Sequence, residues 1–371
     1  MANASEPVLI LGGGLMGLAI AHQLARRGEQ VLVLSRRRSE AAGFVAAGML
    51  APHAEGLSGD LLALGQAALE HIPGWVAQIE ADSGLSCGLR PCGIVVPFAS
   101  ATERDAYPTA TWGEVLDRAG LEREVPGIGP SWQAGLLFAQ DGQIDNRRRL
   151  MRALERACVG LGVRFQEGTE VLDLERNEAH GPLSGIRLRT AEGDEQRLPA
   201  RRAVLTCGAW SARLLPELPV FPVKGQMLSL QGPRQALSRV IFGPGTYLVP
   251  RQDGLLVVGA TSEAEAGFSE GLTPTGQRQL QTGIAALLPE ASAWPPMERW
   301  WGFRPCTPDE GPLLGESAIP GLWLACGHHR NGVLLAGITA ELLAGVVAAG
   351  LEAGEQAQWL QTFRWSRFCP T

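Results

Sequence analysis

Very little in this chain of 371 residues points away from a globular, small-molecule protein. It has no C-x-x-C pair: Cys87, Cys92, Cys158, Cys207, Cys306, Cys326 and Cys369 are an odd and scattered set. That excludes a zinc ribbon and a disulfide framework, and it leads us to expect a reducing, cytoplasmic setting and no metal. It has no long run of either charge. With Lys+Arg 32 against Asp+Glu 38 and a net charge of -6, it offers no basic footprint for nucleic acid or for an anionic membrane. No apolar run is expected to reach the roughly 18 to 20 residues that cross a bilayer. Val8-Leu9-Ile10-Leu11 lacks the basic start of a signal peptide and runs straight into glycines. No repeat or low-complexity tract is visible. What is abundant is apolar sequence, 45% against 19% charged, which excludes disorder and supplies core for about two to three domain equivalents.

The first chemistry-bearing motif follows Val8–Leu11, a run of branched residues suited to a strand buried on both faces. Gly12-Gly13-Gly14-Leu15-Met16-Gly17 comes next, and Leu18, Ala21, Leu24 and Ala25 then keep helical spacing until Gly28. Val31–Leu34 reads as a second strand. In strand, G-x-G-x-x-G, helix, strand, Gly12 permits the turn, Gly14 lets backbone approach a pyrophosphate, and Gly17 lets helix and strand pack closely. The helix start, with Leu15 and Met16, offers free N–H groups and positive dipole to phosphate. An acidic residue usually ends the second strand and holds a ribose. Here Ser35 stands there, followed by Arg36-Arg37-Arg38. The arginines leave a 2′-phosphate, and so NADP, as an alternative to a flavin dinucleotide.

Further along, a helix is expected from Asn146 through Leu161, with short strands at 163–165, 169–175 and 185–189. The run Ala203–Gly208 reads as a buried strand in which the dinucleotide fold resumes. Residues 221–261 read as strands of a separate antiparallel sheet, followed by a helix at about 275–288 and an alternating strand from Met297 to Arg304. Leu322–Gly327, the loop His328–Gly332 and a long apolar helix repeat the strand, loop, helix order. The expected fold is α/β plus α+β, interleaved along the chain.

Some residues allow two readings. Alternation puts Trp300, Gly302 and Arg304 on one face, with Pro305 holding Arg304 extended. Such a guanidinium forks a substrate carboxylate or closes a buried ion pair. Tyr247, one of only two tyrosines, is a carboxylate ligand or a core residue with a satisfied hydroxyl. Met49 is a pocket wall or filler. Arg330-Asn331-Gly332-Val333-Leu334 opens the last helix and offers a positive dipole end, or a simple Asn331 cap. His328 and His329 lack a third ligand at metal spacing and read as packed histidines.

Taken together, Gly12-Gly13-Gly14 with Gly17, Ala46-Ala47-Gly48-Met49-Leu50, Pro222–Gln226, Tyr247–Arg251 with Val257–Thr261, Trp301–Pro305 and Gly327–Gly332 resemble the D-amino-acid oxidase family of flavoproteins, and within it the branch that oxidises glycine. The segments keep the family's order from Val8 to about Ala348. The resemblance implies a Rossmann-like FAD domain of the glutathione-reductase type over 1–80, 140–218 and 302–371. It implies a substrate domain on a mainly antiparallel sheet over 81–139 and 219–301. Oxygen-dependent oxidation of glycine or a small N-substituted glycine follows, with the imine available for thiamine thiazole synthesis. Sarcosine, other N-methyl amino acids or D-amino acids are the alternative substrates, and a homo-oligomer is compatible. Arg304, Tyr247 and Arg330 take catalytic positions, with Met49, Gly245 and Ser262 around the substrate. FAD would be held by Gly12, Gly14, Leu15, Met16, Gly17, Ser35, Arg36, Ala46, Ala47, Gly48, Val171, Cys207, Gly208, Trp210, Gly302, Asn331, Gly332, Val333 and Leu334. Cys306 stands where the family commonly has glycine, but its spacing to Thr307-Pro308-Asp309-Glu310 departs from the covalent sarcosine oxidase pattern, so the flavin is expected to be non-covalent.

Overall fold

The structure, a computed structural model, describes residues 6–349 and 357–369. Val8–Leu11 lies inside a six-stranded sheet in the order Leu313–Glu316, Leu322–Cys326, Ala203–Leu205, Val8–Leu11, Val31–Ser35 and Arg164–Glu167. All neighbours are parallel except the edge strand Leu313–Glu316. The two-residue period of a strand decides what each face meets. Val8, Ile10, Val31 and Val33 pack with helices Leu15–Arg26, Gly59–Ser83 and Gly332–Ala349, whereas Leu9, Leu11 and Leu34 face a three-stranded antiparallel sheet through Leu174, Ile186 and Leu188. The sheet is thus drawn from the start, middle and end of the chain.

The second sheet has eight strands in the order Pro296–Cys306, Phe221–Gln231, Leu255–Gly259, Thr246–Pro250, Val240–Gly243, Ile94–Phe98, Ala134–Phe138 and Glu114–Asp117. Only the Val240–Gly243 and Ile94–Phe98 pair is parallel. Helix Pro274–Leu287 covers one face through Leu280, Ile284 and Leu287. Strand Pro296–Cys306 stays paired to Phe221–Gln231 as far as Cys306. A domain boundary at 302 therefore cuts a strand in two, and the sheet ends four residues later.

One sequence expectation is corrected here, and one element is new. The final helix does have the length and apolarity of a membrane span over His329–Ala348, with mean hydropathy 1.7. It is nevertheless 78% buried, against helices Leu15–Arg26 and Gly59–Ser83, and is the spine of the core. Helix Gly59–Ser83, not anticipated from the sequence, keeps Leu64, Ala68, Ile72, Trp75, Val76 and Ile79 buried although Pro73 lies inside it.

Candidate active site

A cavity of about 620 Å³ runs between the two sheets. At one end lie Gly12, Gly14, Leu15 and Met16. Gly12 has φ +119°, and a Cβ there would stand 2.5 Å from the Thr206 carbonyl oxygen. A Cβ on Gly17 would overlap the Gly12 carbonyl, so Gly17 serves the helix–strand approach and does not line the cavity. Gly14 differs: a Cβ there meets only Ala41 Cβ, at 3.3 Å. Its smallness is unused by the chain itself and faces the cavity. Gly14 is also the cap of helix Leu15–Arg26 without a side-chain cap bond, leaving the first N–H groups to a ligand.

Ser35 and Arg36 line this end too. The three arginines are already neutralised. Arg36 pairs with Glu40 at 3.0 Å and Glu170 at 3.5 Å, Arg37 with Glu40, and Arg38 with Glu155 at 2.7 Å and Glu167 at 2.9 Å. A 2′-phosphate would meet carboxylates with every cation, which removes the NADP alternative.

The middle of the cavity is walled by Ala46, Ala47, Gly48, Val171, Cys207, Gly208, Trp210, Gly302, Gly332 and Val333. Gly48 has φ +82°, and a Cβ would overlap the Ile144 carbonyl. At Gly302 a Cβ would overlap Val45 Cγ2, so this glycine admits the 42–45 turn, which Trp300 also anchors by donating Nε1–H to the Val45 carbonyl at 2.9 Å. Two positions fall elsewhere. Leu334 is part of the apolar core, and the buried Asn331 does not line the cavity. Cys306 is buried at a strand end outside the wall, its thiol pushed up from the usual range by burial, so it is not placed for attachment to a cavity ligand.

The far end gathers Arg304, Tyr247, Met49, Gly245, Ser262 and Arg330, the residues that the resemblance puts around the substrate. Arg304 extends over Gly225 of the neighbouring strand and donates Nη1–H to the Thr261 carbonyl at 3.1 Å. Among the described residues it has no carboxylate within ion-pair distance, which rules against the structural ion-pair reading. Tyr247 is held against Phe242, ring centroids 6.4 Å apart, and burial raises its phenol while the Arg304 charge opposes the rise. His328, hydrogen-bonded to Thr339 Oγ1 at 3.1 Å, is pushed down to about 3 by burial, and His329 to about 4. Both are neutral at working pH.

Arg330, which the resemblance puts among the catalytic positions, lines the cavity and is paired with carboxylates. Its Nε lies 2.9 Å from Glu55 Oε2 and an Nη 3.3 Å from Glu310. Glu55 was missed in the sequence. It sits in a turn between the short strand Met49–Leu50 and helix Gly59–Ser83, in a stretch with no periodic pattern, and only its place in the pocket marks it. Its side chain is 6% exposed, and burial raises its carboxyl to about 7 against the lowering effect of Arg330 and Arg304.

A glycine-loop dinucleotide fold joined to an antiparallel sheet, with a cavity at the junction, is the arrangement of a dinucleotide-dependent oxidoreductase. The chain matches the profile of the FAD dependent oxidoreductase (DAO) family over residues 7–346 and belongs to that family. It is 42% identical over 353 residues to the bifunctional protein ThiO/ThiG of Synechocystis, covering 93% of this chain and 52% of that one. The chain thus spans about half the length of these fused relatives. It is 30% identical to glycine oxidase of Pseudomonas aeruginosa, covering 93% of this chain and 95% of that one. The crystal structure of glycine oxidase from Geobacillus kaustophilus superposes with a TM-score of 0.88 at 29% identity, covering 98% and 99% of the two chains.

The cofactor is FAD, and the cavity fits it. The unfilled side of Gly14, the open first turn of helix Leu15–Arg26 and the uncapped start of the last helix at His329–Gly332 place donors at both ends of an elongated ligand.

Proposed function

We propose that the protein oxidises glycine or a small N-substituted glycine with oxygen, giving the imine and then glyoxylate, ammonia or an amine, and hydrogen peroxide. The observation that carries this reading is Arg304: a guanidinium facing the cavity, lacking a carboxylate partner, beside the phenol of Tyr247. Bound FAD supplies a two-electron acceptor for the hydride of the substrate's α-carbon and returns the electrons to oxygen. The chain supplies position. Arg304 forks the carboxylate and Tyr247 donates a second bond, which fixes the α-carbon against the wall formed by Ala46–Met49. The start of the last helix presents N–H groups and positive dipole that stabilise developing negative charge. Met49, Gly245 and Ser262 bound the space for the side chain and the N-substituent.

The fused ThiO/ThiG relatives support supply of the imine to thiamine thiazole synthesis. Sarcosine remains the second substrate reading, because Gly245 lines the cavity and brings no side chain into it. We read the setting as cytoplasmic, with small amino acid and oxygen as partners. The test is direct: the purified protein should be yellow, bleach with glycine under nitrogen, and release peroxide in air. Turnover of glycine, sarcosine and D-alanine ranks the substrates. A colourless protein, or a flavin that none of the three reduces, would reject the reading.

A further inference from the structure

An amino acid enters as a zwitterion, but its oxidation needs the neutral amine, whose lone pair assists loss of the α-hydride. A proton must therefore leave the ammonium inside the cavity or before entry. Among the described residues four carboxylates line the cavity: Glu40, Glu55, Glu170 and Glu310. Glu40 and Glu170 are bound to the arginine run at the dinucleotide end, and Glu310 is 46% exposed beside Arg330. Glu55 alone is buried at the Arg304 end.

Its surroundings hold it in place and leave it incomplete. The turn that carries it is pinned from both sides: Asp141 Oδ2 accepts from the backbone N–H of His53 at 3.2 Å and of Ala54 at 2.8 Å. Tyr107 donates to the Ala54 carbonyl at 2.7 Å, and Thr109 to the His53 carbonyl at 2.6 Å. Glu55 Oε2 is nevertheless buried without a hydrogen bond: Arg330 Nε is close, but its N–H does not point at the oxygen. A buried carboxylate oxygen with an unused lone pair is costly unless something donates to it.

We propose that Glu55 accepts the proton of the bound amino acid's ammonium group. The N–H bond breaks, an O–H bond forms on the Glu55 carboxylate where it lines the cavity, and the neutral amine stays in place with its carboxylate on Arg304. This rests on the reading of the enzyme as an amino-acid oxidase. The charged and titratable groups that face Glu55 are Arg330 from the start of the last helix, Glu310 from the turn between Cys306 and Leu313, Arg304 from its strand, Tyr247 across the pocket, and Asp141 and Tyr107 behind the turn. Together they leave a carboxyl that exchanges a proton near neutrality.

The experiment compares flavin-loaded wild type, Glu55→Gln and Glu55→Asp in kcat/KM for glycine from about pH 5.5 to about pH 9.5. Wild type should show an acid limb near neutrality. Glu55→Gln should lose it and climb about tenfold per pH unit toward the titration of free glycine, about 100-fold below wild type at neutral pH and converging with it in base. Glu55→Asp should keep a limb. Flavin content should match in all three, and binding of acetate, a carboxylate without an amine, should change less than about threefold. A Glu55→Gln profile that superposes on wild type, or that is lowered equally at every pH, would overturn the proposal. A wild type whose flavin glycine does not reduce would overturn the parent reading, and the two failures are distinct.

Discussion

The guanidinium of Arg304 occupies the space that a side chain on Gly225 would need: a Cβ at Gly225 would stand 2.7 Å from Nη2. Gly225 is paired with Gly302 across the strands, so its backbone is fixed and only the arginine can yield. Gly225→Ala should fold, hold FAD and displace the guanidinium, raising KM for glycine at least tenfold with a smaller change in kcat. Steady-state kinetics with flavin content checks this, and unchanged KM would show that Arg304 does not anchor substrate from this position.

Arg304→Ala should keep fold and flavin, because no carboxylate is stranded by its loss. Removing a charge-assisted bidentate contact costs about 3 kcal/mol, or about two powers of ten in kcat/KM. Arg304→Lys should recover only part, since a point charge does not fork two oxygens. Loss of melting temperature or of flavin before loss of activity would restore a structural role.

The glycine loop separates into two kinds of position. Gly17→Ala drives a methyl group into the Gly12 carbonyl and should lower soluble yield and melting temperature even without cofactor. Gly14→Val meets only the Ala41 side chain at its Cβ, in a tight contact of 3.3 Å that a small shift relieves, and should fold but elute nearly free of FAD. A Gly14→Val protein with full flavin would mean that the pyrophosphate lies elsewhere.

Acid should destabilise the protein through its buried histidines. His328 and His329 are depressed to about 3 and about 4, and His22 and His71 are also lowered by burial, so below about pH 6.5 the unfolded chain binds the extra protons. Stability is present above that pH and lost as pH falls toward the folded values. Glu55, raised to about 7, works the other way between its ordinary range and neutrality, and offsets one histidine. Melting temperature should therefore fall from pH 6.5 to pH 4.5, about 1.4 kcal/mol per pH unit for each fully buried histidine being the scale. His328→Asn should flatten that slope, and an unchanged slope would show that His328 is not part of it.

Cys306→Ser should leave flavin release unaltered: acid precipitation should free FAD from both proteins. Flavin that stays with the wild-type pellet and is lost in the variant would reverse the reading of Cys306.

Local physics was legible wherever it is periodic. Val8–Leu11, the spacing of Gly12, Gly14 and Gly17, and the alternation of Trp300, Gly302 and Arg304 each follow from the geometry of one strand or one turn, and the structure keeps them. The long apolar helix was legible as a helix but not as a core element. Whether an apolar cylinder lies in lipid or in protein depends on the helices that cover it, Leu15–Arg26 and Gly59–Ser83, and those contacts are far apart in sequence.

The partners of charges were decided largely by the tertiary structure. Arg37 meets Glu40 within its own turn, but Arg36 and Arg38 read as part of a phosphate site until Glu170, Glu155 and Glu167 arrive from over a hundred residues away. Arg304 and Arg330 look alike in the sequence, yet one is left unpaired and the other is placed between Glu55 and Glu310. Glu55 has no motif at all. A carboxylate is defined chemically by its burial and by the cations across the cavity, and neither is a property of neighbouring residues. Strand, glycine turn and helix are written in short stretches of this chain; which cation is free to meet a substrate is a result of folding.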